Sequence, residues 1–142
     1  MKKNREDIMQ IIPHRPPMLL LDEVELLDDG CSIGWYYVQG DEFFLQGHFP
    51  GNPVVPGVIL CEMMAQSACL LADNSDGVSY TPYFTGMDKI RFKKKVMPGD
   101  LLKLTSKLIR SKGMFYFVKC TVYVNNSLCC AGEISFALVK ED

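Results

Sequence analysis

Histidine is scarce in this 142-residue chain, which has only His14 and His48. Two imidazoles are too few for a metal site built largely on histidine, and no metal is expected. Cys31, Cys61, Cys69, Cys120, Cys129 and Cys130 include no C-x-x-C pair. Scattered thiols, two of them inside an apolar run, read as reduced core residues rather than disulfides or zinc ligands. The chain has no G-x-S-x-G elbow, no phosphate-binding P-loop and no G-x-G-x-x-G fingerprint, so no nucleotide cofactor is expected. Neither sign of charge is in excess: 15 Lys and Arg stand against 17 Asp and Glu, a net charge of -2 with 48% hydrophobic residues. That balance describes a soluble globular protein and not a nucleic-acid binder or a disordered tail.

The longest apolar stretch, Val54 to Ala72, is interrupted by Pro56, Glu62, Gln66 and Ser67. A charge and an amide in hydrocarbon need special compensation, so a membrane span is not expected. The opening "MKKNREDIMQ" has basic residues with no apolar stretch behind them; no secretory signal is read there, and a cytoplasmic location is expected. With no internal repeat and no low-complexity linker, residues 1–142 read as one domain around one core.

Residues 4–12 have the marks of a short amphipathic helix, with Asn4 as cap, Glu6 and Asp7 in the first turn, and Ile8, Ile11 and Ile12 on one face before Pro13. Two β-like runs follow, "MLLLDEVELL" and "CSIGWYYVQ", separated by Asp28-Asp29-Gly30. Pro56 then opens a long segment without another breaker, and a helix is predicted over 57–72. Its apolar residues cover nearly every face, so the helix is expected to be buried all round. Further strands are read in "YFTGMDKIRFKKKV", "LLKLTSKLI", "MFYFVKCTVYV" and "LCCAGEISFALV", with "MPGD" and Asn125-Asn126 as turns. The fold class is α+β: a long central helix wrapped by an antiparallel sheet.

Within that greasy helix sits one carboxylate, Glu62, with Gln66 a turn later on the same face and able to hold it. Burying an unpaired acid is costly, so Glu62 is either a structural carboxylate satisfied nearby or a working group. Fourteen residues earlier, His48 lies in a loop that must run close to the helix start. It is either an ordinary packing residue or a base, since imidazole and carboxyl are the common proton-transfer groups near neutral pH. An apolar setting is expected to raise the Glu62 carboxyl so that it stays protonated. Gly57, at the first turn, lets a backbone N–H approach a ligand where the helix dipole favours developing negative charge.

On the segments "IIPHRPPMLLLDEV", "FFLQGHFPGNPVVPGVILCEMMAQ" and "YFTGMDKIRFKKKVMPGD", the sequence resembles the FabZ-type 3-hydroxyacyl acyl-carrier-protein dehydratases of type II fatty-acid synthesis. The resemblance covers most of the chain and implies a hotdog fold. It implies catalytic roles for His48 and Glu62, an oxyanion amide at Gly57, and Gln66 steadying the glutamate. It further implies that His48 of one protomer works with Glu62 of its dimer partner, three dimers forming a hexamer, with no cofactor. Tyr83 and Phe84 match an aromatic pair by the tunnel mouth, and Phe49, Val58, Met63 and Met64 are apolar residues open to an acyl-channel role or to plain packing. The implied partner is acyl carrier protein bearing a 4'-phosphopantetheine-linked acyl chain. Strand alternation would put Arg91, Lys93 and Lys95 on one face as a docking patch for this acidic carrier, unless that face is simply solvated. Lys95 stands where many relatives have proline, and Cys61 and Cys69 are not hallmarks of the family.

Two other enzymatic readings remain at this level. A bifunctional dehydratase/isomerase would also move the double bond to the cis-3 position, although its type usually has aspartate where this chain has Glu62. A hotdog thioesterase would use the carboxylate to activate water against the same carbonyl.

Overall fold

The computed structural model describes residues 2–72 and 78–141. In chain order the elements are β1 (Lys2–Lys3), α1 (Arg5–Met9), β2 (Glu23–Leu26), β3 (Cys31–Tyr37), a single 3-10 turn (Phe43–Leu45), α2 (Gly57–Cys69), β4 (Tyr80–Phe92), β5 (Leu101–Lys112), β6 (Phe115–Val124) and β7 (Ser127–Lys140). All strands join one antiparallel sheet in the order β1-β2-β3-β5-β6-β7-β4. α2 packs on β3, β5, β6 and β7, and the sheet curls round it.

Alternation accounts for the sheet. In β5, Leu102, Leu104 and Ser106 point inward while Leu101, Lys103 and Lys107 point out. Leu108, partly buried, keeps this rhythm and packs against the core; the β5–β6 register shifts only after it, between Leu108 and Arg110. The β6–β7 hairpin turns on Asn125 and Asn126, whose φ angles of 49° and 65° are both left-handed; asparagine tolerates that region better than other side-chain-bearing residues, and the pair gives the twist a two-residue hairpin needs.

α2 is buried from Leu60 onward except at Glu62. Met63, Met64 and Ala68 meet Leu104, Val118, Val122, Ile134 and Phe136 in one continuous core. Both helices are shorter than the sequence predicts. α1 has the expected Asn4 cap, with Asp7 completing a reciprocal capping box, but it stops at Met9; Ile11 and Ile12 both donate to the Ile8 carbonyl in a closing turn. α2 stops at Cys69, with Leu70 and Leu71 bonded back to Ser67 and Ala68. The segment Leu19–Leu21, read as strand, is buried but lies outside any strand.

Candidate functional site

The loop carrying His48 is fixed from both ends. Upstream, the Glu42 carboxylate accepts from Tyr36 Oη at 2.7 Å, the Gln39 N–H at 2.9 Å and the Gly40 N–H at 2.8 Å, while Phe44 and Leu45 anchor in the core. Downstream, Phe49 and Asn52 exchange backbone bonds, and Val54 N–H donates to the His48 carbonyl at 2.8 Å. The His48 ring is held by Nδ1, 2.9 Å from the Val54 carbonyl oxygen. A carbonyl only accepts, so Nδ1 carries the proton, and in the neutral ring Nε2 holds the lone pair. This is the tautomer a base requires.

Beside it begins α2. Pro56 provides no side-chain cap, so no capping side chain bonds the N–H groups of the first turn, which lie at the positive end of the helix. A Cβ on Gly57 would sit 2.9 Å from two carbons of the Phe92 ring; glycine is needed there for closeness. His48, Val54, Gly57, Val58, Phe92 and the three lysines Lys93–Lys95 line a cavity of ≈ 530 Å³. Phe49 stacks on His48, ring centroids 4.2 Å apart, outside that lining.

Glu62 is elsewhere. Its carboxylate oxygen Oε2 accepts from Gln66 Nε2 at 2.9 Å and lies 3.4 Å from His14 Nε2. Gln66 has no exposure to solvent and is itself tied on both sides: its Oε1 accepts from Leu20 N–H at 2.9 Å, and its Nε2 also donates to the Met18 carbonyl at 2.7 Å. Glu62, Gln66, His14, Ala65, Cys69, Tyr83, Phe84 and Phe136 help line a second cavity of ≈ 140 Å³. The two linings share no residue. Within one chain, then, the imidazole and the carboxylate face different cavities.

Three expectations change. Burial does act to raise the Glu62 carboxyl, but hydrogen bonds from His14 and Gln66, with the charge of His14, outweigh it, and the net shift is downward. Predicting a raised value took account of the helix alone; His14 arrives from a loop 48 positions earlier in the sequence. Its Nδ1 is buried without a protein partner, and its only sequence signal was the "PHR" of the first matched segment. Strand alternation does not organise the basic run, because β4 ends at Phe92 and both Lys93 and Lys94 N–H bond to the Cys129 carbonyl. Lys93 and Lys95 therefore reach the His48 cavity together with Lys94, whereas Arg91 does not line it. Met63 and Met64 are core residues with no exposure and line neither cavity. Val58 lines the His48 cavity, and Tyr83 and Phe84 the Glu62 cavity. All six cysteines are free thiols. Among the described residues no group of three or more His, Cys, Asp or Glu is placed to hold a metal.

One long helix gripped by a curled antiparallel sheet, with a glycine at its uncapped start and a carboxylate on its second turn, defines a hotdog protein with a site at the helix. Residues 12–133 match the FabA-like domain, and the chain belongs to that family. It is 42% identical over 136 residues to the 3-hydroxyacyl-(acyl-carrier-protein) dehydratase FabZ of Clostridium perfringens (strain SM101 / Type A), covering 95% of this chain and 98% of that one. To the FabZ of Caldicellulosiruptor saccharolyticus it is 45% identical over 133 residues, covering 92% and 95%. Among solved structures, the dehydratase heterocomplex ApeI:P from Xenorhabdus doucetiae superposes with a TM-score of 0.79 at 20% identity, covering 94% of this chain and 91% of that one. A hypothetical thioesterase with coenzyme A from Streptococcus pneumoniae TIGR4 superposes at 0.63 with 12% identity and the same coverage. At such identities these two establish the hotdog fold and nothing about the reaction.

Proposed function

We propose that this protein dehydrates 3-hydroxyacyl groups carried on acyl carrier protein to trans-2-enoyl groups, as the names of its relatives at 42% and 45% identity describe for them. The observation that carries the reading is the 2.9 Å contact of His48 Nδ1 with the Val54 carbonyl, in a ring that lines the cavity at the N-terminus of α2; a carbonyl only accepts, which assigns the proton to Nδ1 and the role of base to Nε2. In the reaction, His48 Nε2 takes a proton from C2 while the Gly57 N–H polarises the thioester carbonyl. The C2–H electron pair becomes the C2=C3 bond, the C3–O bond breaks, and the hydroxyl leaves as water with a proton from the Glu62 carboxyl. Glu62 must therefore be protonated when the bond breaks, and exclusion of water by substrate pushes it that way, since desolvation disfavours its charge.

The base and the acid meet, in this reading, across a homodimer. Separate cavity linings within one chain support it. So does β4, an edge strand with Tyr83, Phe84, Met87 and Phe92 exposed; natural edges are rarely left this apolar without cover. Three such dimers would complete a hexamer. The carrier docks at the mouth of the His48 cavity, where Lys93, Lys94 and Lys95 offer charge to acidic side chains and to the phosphopantetheine phosphate; Arg91 contributes from outside the cavity. The surroundings of this pathway are the cytoplasm.

The test is to supply a 3-hydroxyacyl carrier and follow products. Enoyl thioester with the trans-2 geometry is expected, with no thiol released. Substantial cis-3 product would make the protein a dehydratase/isomerase, and free thiol without enoyl product would make it a thioesterase.

A further inference from the structure

The second cavity has a direction. On α2, residues 62, 65, 66 and 69 recur at the helical spacing of three and four, so they stand in a row along one face, and all four line the same ≈ 140 Å³ space. Its composition changes along that row. At one end are His14, Glu62 and Gln66, bonded to one another through the carboxylate. At the other is Cys69, and the remaining lining residues, Ala65, Pro82, Tyr83, Phe84 and Phe136, carry no formal charge. Cys69 is the last residue of the helix and is nearly buried, with 7% exposure. Seven residues at roughly 1.5 Å each place it about 10 Å beyond Glu62.

We propose that Cys69 is the specificity-determining residue that sets the acyl-chain length this enzyme accepts. The inference rests on the dehydratase reading, which puts the 3-hydroxyl at Glu62 and so sends the rest of the chain along this face. The ≈ 140 Å³ available compares with the roughly 150 Å³ of a dry cavity that takes a benzene, enough for about six carbons. At about 1.25 Å of advance per carbon, from a C–C bond of about 1.5 Å, six carbons reach roughly 7–8 Å, just short of Cys69. The thiol acts as a wall and not as a nucleophile. Burial pushes its pKa up, and the charges of Glu62 and Cys120 add to this, so it stays protonated and behaves as a small apolar side chain. Its size makes it a gauge: alanine there would extend the space, and leucine would close it. Cys61, one turn before Ala65, is buried in the core and lines neither cavity.

The experiment compares the intact protein with Cys69→Ala and Cys69→Leu on carrier-bound 3-hydroxyacyl groups of four to sixteen carbons. For the unaltered chain, kcat/KM is expected to climb until about six carbons lie beyond C3 and then level off or fall. Each methylene excluded costs roughly fourfold, the value of burying one CH₂. Cys69→Leu should move the break two or more carbons shorter, and Cys69→Ala should move it longer. Three coincident profiles would overturn the proposal. Binding of non-reactive saturated acyl-pantetheine thioesters of the same lengths, measured by calorimetry, separates the two claims. An unaltered protein inert towards every hydroxyacyl length would sink the dehydratase reading alone, while the length at which binding levels off in the three proteins would still support or refute the gauge. Should Cys69→Leu fail to fold, Cys69→Ala carries the test in one direction.

Discussion

Replacing Gln66 with leucine should damage stability more than replacing the reactive-looking Glu62 beside it. Gln66 has no solvent exposure and makes three bonds: to Leu20 N–H at 2.9 Å, to the Met18 carbonyl at 2.7 Å and to Glu62 at 2.9 Å. Leucine fills nearly the same space and makes none of them. The Leu20 N–H is then buried without a partner, a loss of about 1–3 kcal/mol, while the Met18 carbonyl, on a residue 40% exposed, recovers part of its bond from water. A net destabilisation of about 2–4 kcal/mol follows, or roughly 6–12 °C in Tm for a chain of this size. Glu62→Gln is milder, because the Glu62 side chain is 25% exposed and an amide oxygen still accepts from Gln66; about 1 kcal/mol or less is expected. The assay is thermal and urea unfolding at one fixed protein concentration, since any oligomer makes Tm depend on it. A Gln66→Leu protein melting within about 2 °C of the unaltered chain would refute the reasoning, because the buried Leu20 N–H would then have lost its partner at no cost.

At Gly57, a methyl group would meet the Phe92 ring at 2.9 Å. Gly57→Ala is expected to lower kcat about tenfold or more by moving the ring or the helix start, and Phe92→Ala in the same chain should recover part of the loss; equal activity of Gly57→Ala and the unaltered protein would contradict the close-approach argument. Glu62 should titrate below the ordinary carboxyl value, about 4.3, because His14 and Gln66 outweigh its burial. A depressed folded-state pKa stabilises the fold fully above the unfolded pKa, and that contribution is lost as pH falls through the folded value. His14→Ala should move the Glu62 resonance upward in a carboxyl carbon NMR titration, and an unmoved midpoint would remove His14 from the account. Reversing Lys93 and Lys95 to glutamate should raise KM for the carrier-bound substrate several-fold at low salt, less at high salt, and leave a short pantetheine thioester nearly unaffected; a salt-independent loss on both substrates would rule out docking.

What the sequence made legible lies mostly along single elements. The Pro56 and Gly57 helix start, the Gln66 grip on Glu62 one turn away, the inward Leu102 and Leu104 and the Asn125-Asn126 turn all follow from local periodicity and turn chemistry. His14 was not legible in this way, since it reaches Glu62 across 48 positions and nothing local marks the meeting. The direction of the Glu62 shift failed with it: desolvation is visible from an apolar helix, whereas the imidazole that reverses it comes from a distant loop. The lysines show the limit of alternation. Two successive N–H groups on one carbonyl end the strand rhythm, and Lys94 then shares a cavity with the neighbours it was expected to oppose.

Most directly at issue is whether His48 of one chain works with Glu62 of another. His48→Ala and Glu62→Gln, each inactive alone, can be co-expressed with different tags and the mixed assembly assayed against each parent. A mixed dimer joins the intact His48 of one chain to the intact Glu62 of the other at one of its two sites. A purified mixed dimer should therefore restore about half of the unaltered activity, and an unsorted, randomly paired population about a quarter. If the mixture stays at the level of its parents, base and acid belong to the same chain, and the shared site is wrong.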